Sequence, residues 1–150
     1  MQFRFAERDD IPAIVALLAD DELGARRERP SLADEGVYQQ AFDLMAVQGF
    51  NKYLLAIDTD GALLGCLQIT FISGLSRAGM KRALLEGVRV ATAARGQGIG
   101  RRLFTEAHAI AKREGCGLVQ LTTDRMRADA LRFYEQLGYE NSHNGMKLKL

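Results

Sequence analysis

The chain has 150 residues, of which 47% are hydrophobic and 26% charged, with a formal net charge of +1. This fits one domain, 1–150, with a single substantial core; no apolar run approaches the ~20 residues that span a bilayer. Without a strong basic excess or interleaved aromatics, nucleic-acid binding is not supported, and two histidines with two cysteines lacking CxxC spacing offer no metal site.

Gln2 to Ala6 alternates as a first strand and lacks the apolar core of a signal peptide, so the expected location is cytoplasmic. Asp9 or Asp10 caps a helix with Pro12 in its first turn and an apolar face of Ile11, Ile14, Val15, Leu17 and Leu18. After a polar connector, 24–30, Ser31 with Asp34 starts a second helix that runs to about Ala46. Residues 53–57 and 62–71 are strands joined by Asp58-Thr59-Asp60-Gly61, a hairpin signal. A glycine-rich, basic loop over 73–82 enters a strand over 83–91. A helix over 98–114 stops at Gly115-Cys116-Gly117, and strand 118–123 and helix 127–137 follow. A closing pair of strands is expected from Tyr139 and through Met146–Leu150. The order predicts an α/β fold with one mixed central sheet of about six to seven strands and about four flanking helices.

The most informative stretch is Arg95-Gly96-Gln97-Gly98-Ile99-Gly100, between a strand and a helix. Its glycines let backbone N–H groups approach a ligand, and the helix start adds unpaired N–H groups and a partial positive charge. That makes a cradle for phosphate. It is no Walker loop, because Arg101-Arg102 follows Gly100 where Lys and a hydroxyl are needed; the dinucleotide spacing G-x-G-x-x-G fails as well.

In its setting this loop resembles the acetyl-CoA loop, Gln/Arg-x-x-Gly-x-Gly/Ala, of the GNAT superfamily of N-acetyltransferases. Glu86-Gly87-Val88-Arg89-Val90 is similar to that family's central strand, and Ala128 to Tyr139, with Phe133-Tyr134 and Leu137-Gly138-Tyr139, to its second motif. The likeness covers about residues 83–140. Arg127 departs from it, standing where many members carry Asn.

The resemblance implies that acetyl-CoA is the acyl donor and that no metal is needed. Val88, Arg89 and Val90 would bond the pantetheine arm through their backbone. Arg95, Gly96, Gln97, Gly98, Ile99, Gly100 and Arg101 would hold the pyrophosphate, with Arg102 as added charge or an ordinary exposed side chain. Glu86, the only carboxylate on the strand, would be the base, made effective by burial; otherwise it pairs with Arg89 or Arg82. Tyr134 would assist the leaving thiolate or simply fill the core. His143 is either a surface turn residue or a second base, His108 a packing residue, and Met80 with the 73–82 loop a wall of the acceptor pocket.

The charge is unevenly divided: residues 1–75 hold 6 Lys/Arg against 12 Asp/Glu, and residues 76–150 hold 14 against 7. A polyphosphate suits the basic half, and an amine suits an acidic entrance. The expected acceptor is a primary amine on a small molecule; a protein lysine or N-terminus, an acyl group other than acetyl, and a non-enzymatic acyl-CoA-binding regulatory module remain alternatives. The short acceptor wall leaves room for a second subunit, so a homodimer is a further expectation.

Overall fold

Five alternating segments form one sheet in chain order: β1 (Gln2–Phe5), β2 (Asn51–Ile57), β3 (Leu63–Ile72), β4 (Arg82–Val90) and β5 (Leu118–Leu121). The computed structural model describes residues 1–20, 22–25, 28, 36–125 and 128–150, so the Ser31–Asp34 helix start and Arg127 lie outside the described residues. β1 to β4 pair antiparallel in succession, and β5 joins β4 in parallel. The helices are α1 (Ile11–Leu18), α2 (Glu22–Ala25), α3 (Val37–Gln48), α4 (Ser76–Gly79), α5 (Ile99–Arg113) and α6 (Ala128–Gln136), with α2 and α4 single turns.

The mixed sheet is as expected, but its closing strands are a correction. Residues 139–150 join no ladder, and Met146, Leu148 and Leu150 stand 94%, 86% and 116% exposed. The alternation Met146-Lys147-Leu148-Lys149-Leu150 gives one apolar side, yet a strand forms only where a neighbour pairs with it.

Alternation divides the strands between two faces. Leu54, Leu67, Ile69, Ala83 and Leu85 meet α5, whose Leu103, Phe104, Ala107, Ile110 and Ala111 repeat at helical spacing. Each large side chain buried there contributes about 1.5–3 kcal/mol. On the other face Ile14 and Leu17 of α1 cover Leu55 and Cys66. Burial pushes the Cys66 thiol up to about 12, and neither Cys66 nor the half-buried Cys116 is in a disulfide.

β4 is interrupted at its middle. Gln68 pairs with Glu86 and Cys66 with Arg89, so two steps on β3 face three on β4. The extra residue is accommodated at Gly87, whose φ of +58° lies in the left-handed region that favours glycine. Before this bulge Ala83 and Leu85 point to the α5 core; beyond it Val88 and Val90 do.

His108 on α5 shares a hydrogen bond of 2.7 Å with the Tyr139 hydroxyl and lies edge-on to Phe104. Burial lowers its pKa below the usual imidazole value. The unfolded chain therefore binds a proton that the folded one resists, and stability falls as pH drops below about 6.5. Thermal melts between pH 7.5 and 5 should show this loss, and His108→Gln should flatten it.

Candidate functional site

β4 and β5 pair only from Arg82–Leu118 to Leu85–Leu121, whereas β4 stays on β3 as far as Val90. Beyond Leu85 the two parallel strands part. The opening begins at Glu86, continues past the Gly87 bulge and ends at the loop before α5.

That loop is braced by side chains. Asp20, after α1, accepts hydrogen bonds from the Thr92 N–H and hydroxyl at 3.0 and 2.8 Å. Arg95 donates to the Val90 and Asp20 carbonyls at 3.2 and 3.4 Å, and Gln97 to the Ala93 carbonyl at 3.1 Å. The side chains of Arg95 and Gln97 thus shape the loop. Gly98, at φ +74°, caps α5, and the Arg102 N–H returns to the Gly98 carbonyl at 3.1 Å. The N–H groups from Gly96 to Arg101 have no acceptor among the described residues. Ile99 anchors this run with a buried side chain, while Arg101 and Arg102 are exposed. A row of outward N–H groups at a helix start fits phosphate oxygens.

Val88 and Val90 pack against the α5 core, and Arg89 turns to the opposite face, where it donates to the Leu18 carbonyl at 3.4 Å. Their side chains thereby hold a length of β4 backbone along the opening. Glu86, on the α1 face, is exposed, which departs from the burial expected for it. Tyr134 lies across the sheet on α6, half-buried, with its ring 5.6 Å from Phe104, 5.5 Å from Phe133 and 6.1 Å from Tyr139. Glu86 and Tyr134 thus stand on opposite faces of the sheet. His143 is exposed beside Ser142, at 2.8 Å, and belongs to neither group.

The sequence reading missed the surroundings of Glu86. The Tyr53 hydroxyl reaches the bulge, where a β-carbon built on Gly87 would meet it at 3.5 Å and Leu18 Cδ2 at 3.7 Å. Burial raises the Tyr53 pKa, with Cys66, Glu28 and Glu86 adding to the effect and Arg89 opposing it. Glu28 accepts a hydrogen bond from the Tyr38 hydroxyl at 3.2 Å. Two carboxylates, two phenols and an arginine therefore surround the Glu86 side of the opening. Gly87, a lone glycine inside a strand pattern, was the available sign of the bulge.

A parallel strand pair that parts beside an N–H cradle is the cleft of the acyl-CoA N-acyltransferase fold. The family model described as Acetyltransferase (GNAT) family matches residues 12–139, and the chain belongs to that family. It is 44% identical to a solved structure described as a transcriptional regulator from Bacillus halodurans C-125, with a TM-score of 0.94 and 99% of each chain covered. A glucosamine-6-phosphate N-acetyltransferase from Arabidopsis thaliana shares the fold at 20% identity, with a TM-score of 0.81 over 99% of this chain and 97% of that one. Streptothricin acetyltransferase of Streptomyces lavendulae is 29% identical over 89 residues, which are 59% of this chain and 44% of that protein. The chain thus spans under half the length of that curated relative. Among the described residues no helix is long and apolar enough to cross a membrane, and no group of three or more His, Cys, Asp or Glu could hold a metal ion.

Proposed function

We propose that the protein is an N-acetyltransferase that moves an acetyl group from acetyl-CoA to a primary amine on a small molecule, within a ternary complex. The observation that carries this reading is the run of unsatisfied N–H groups from Gly96 to Arg101 beside the parted strands. Phosphate oxygens satisfy those donors, and the Val88–Val90 stretch, which lies beyond the last β4–β5 pair, suits the amides of a pantetheine arm. Acetyl-CoA supplies the activated acetyl thioester; the chain's own residues do the rest.

An alkylamine with a pKa near 10.4 is neutral in only about one part in 2,500 at pH 7, so a proton must leave it. Glu86, exposed at the mouth of the opening, accepts that proton directly or through water. Glu28 adds negative potential on the same side, which favours a cationic acceptor. Tyr134, from the opposite face, donates a hydrogen bond to the departing sulfur. Full proton transfer from a phenol to a thiolate costs about 2 kcal/mol at ordinary pKa values, so hydrogen bonding suffices. Alignment of amine and thioester supplies the larger share, ~7–11 kcal/mol.

Calorimetric titration with acetyl-CoA, desulfo-CoA and ADP tests the reading. Micromolar binding that requires the pantetheine arm, followed by acetylation of an amine, is expected. Failure of acetyl-CoA to bind would overturn it. The second reading, an acyl-CoA-binding regulatory module, is favoured by the description of the 44%-identical structure as a transcriptional regulator. It predicts acetyl-CoA binding without turnover of any amine. Sedimentation at micromolar concentration tests whether a homodimer completes the acceptor wall.

A further inference from the structure

At the end of β4 away from the cradle, a cavity of about 130 Å³ is lined by Ser76, Arg77, Met80, Arg82, Leu118 and Gln120. It lies on the acceptor face of the sheet. Arg82, Leu84 and Glu86 alternate with the core residues Ala83 and Leu85, and Leu118 and Gln120 pair in register with Arg82 and Leu84. Arg82 and Glu86 are therefore two rows apart on one surface, ~13 Å between α-carbons at 3.3 Å per residue.

Two features of this cavity lack an internal explanation. The Arg82 Nε is buried and has no hydrogen-bond partner, and neither Arg77 nor Arg82 has a carboxylate partner among the described residues. A buried, unsatisfied charged donor is unfavourable unless something completes it. The second feature is the backbone of Arg77 and Ala78, at φ +54° and +56°, successive non-glycine residues in the left-handed region. Such conformations gather at ligand clamps, and here they fall at Arg77, which lines the cavity with Arg82 and Gln120. Met80, packed against Gly117, also lines the cavity.

We infer that Arg82 and Arg77 form an anion-recognition subsite, and that the amine acceptor carries a carboxylate or phosphate held there, on the same face of the sheet as Glu86. The inference rests on the acetyltransferase reading for the amine and on the cavity alone for the anion. A guanidinium fork offers two parallel N–H donors to either anion, and Ser76 and Gln120 supply further polar contacts.

The test uses anions alone. Calorimetric titration with inorganic phosphate and with succinate should show binding by the wild type, weakened at least tenfold in Arg82→Gln and unchanged in Glu86→Gln. The stronger of the two identifies the headgroup. Arg77→Gln, at an exposed position, should weaken binding about threefold or more and covers the case in which Arg82→Gln fails to fold. Binding of neither anion, or equal binding by wild type and both arginine variants, overturns the subsite. Acetyl-CoA binding measured on the same samples separates the two claims. Acetyl-CoA binding without anion binding removes the subsite and leaves the acetyltransferase reading. Anion binding that depends on Arg82 but occurs without acetyl-CoA binding keeps the subsite and removes that reading.

Discussion

Glu86→Gln is expected to lower turnover of an amine acceptor by ~10²–10⁴-fold while acetyl-CoA affinity stays within about threefold. The amide keeps the volume of the carboxylate but cannot accept a proton at neutral pH. Glu86 is exposed and paired through its backbone to Gln68, so the fold has little stake in its charge. A stability loss would therefore point to a structural carboxylate. The informative measurement is a rate against pH: if Glu86 is the base, the variant's remaining rate rises with pH as the amine neutralises itself in solution. An unchanged turnover in Glu86→Gln removes the residue from the chemistry.

The second large effect is expected at the cradle. Gly98→Val should weaken acetyl-CoA binding by ~10²-fold or more, read by calorimetry. Gly98 sits at φ +74°, where a side chain costs about 1–2 kcal/mol and a β-branched one more. A β-carbon there meets nothing within 4 Å, so the cost is conformational. Relaxing that strain turns neighbouring N–H groups away from a common target, and each bond lost to a charged oxygen costs about 1.5–3 kcal/mol. Tenfold in affinity is 1.4 kcal/mol, so two such losses already exceed the expected drop. Lys in place of the exposed Arg101 should change affinity far less, because it keeps both the charge and the backbone.

These residues differ in how plainly the sequence announced them. The cradle was legible because its chemistry is local: a strand, three glycines and a helix start lie within one short run. The hairpin at Asp58–Gly61 was legible for the same reason, and Asp58 does accept from the Asp60 and Ala62 N–H groups at 2.9 and 2.8 Å. The helix expected over 98–114 is α5, Ile99–Arg113, for the same reason. The rest depended on partners far away in the chain. Asp20 reaches Thr92 across 72 positions, Arg89 reaches Leu18 across 71, and nothing in either neighbourhood specifies the other. The final strands failed for a related reason. Met146–Leu150 has the alternation of a strand, but pattern expresses only a readiness to pair. Glu86 was identified by its residue type and place, whereas its exposure depends on where β5 leaves β4.

The bulge at Gly87 has a consequence for how β4 accepts change. One strand is read in two frames: odd-numbered residues face the α5 core up to Leu85, and even-numbered ones from Val88 onward. Gly87 is the frameshift between them. Substitutions before and after Gly87 therefore obey opposite rules about which positions must stay apolar, although they fall within nine consecutive residues. Straightening the bulge with Gly87 kept in register would impose a single frame, turning the Arg89 guanidinium into the core and Val88 and Val90 out of it, whereas deleting Gly87 would leave all three where they are. Changes at 82 and 84 thus leave untouched the frame that keeps Val88 and Val90 against the α5 core.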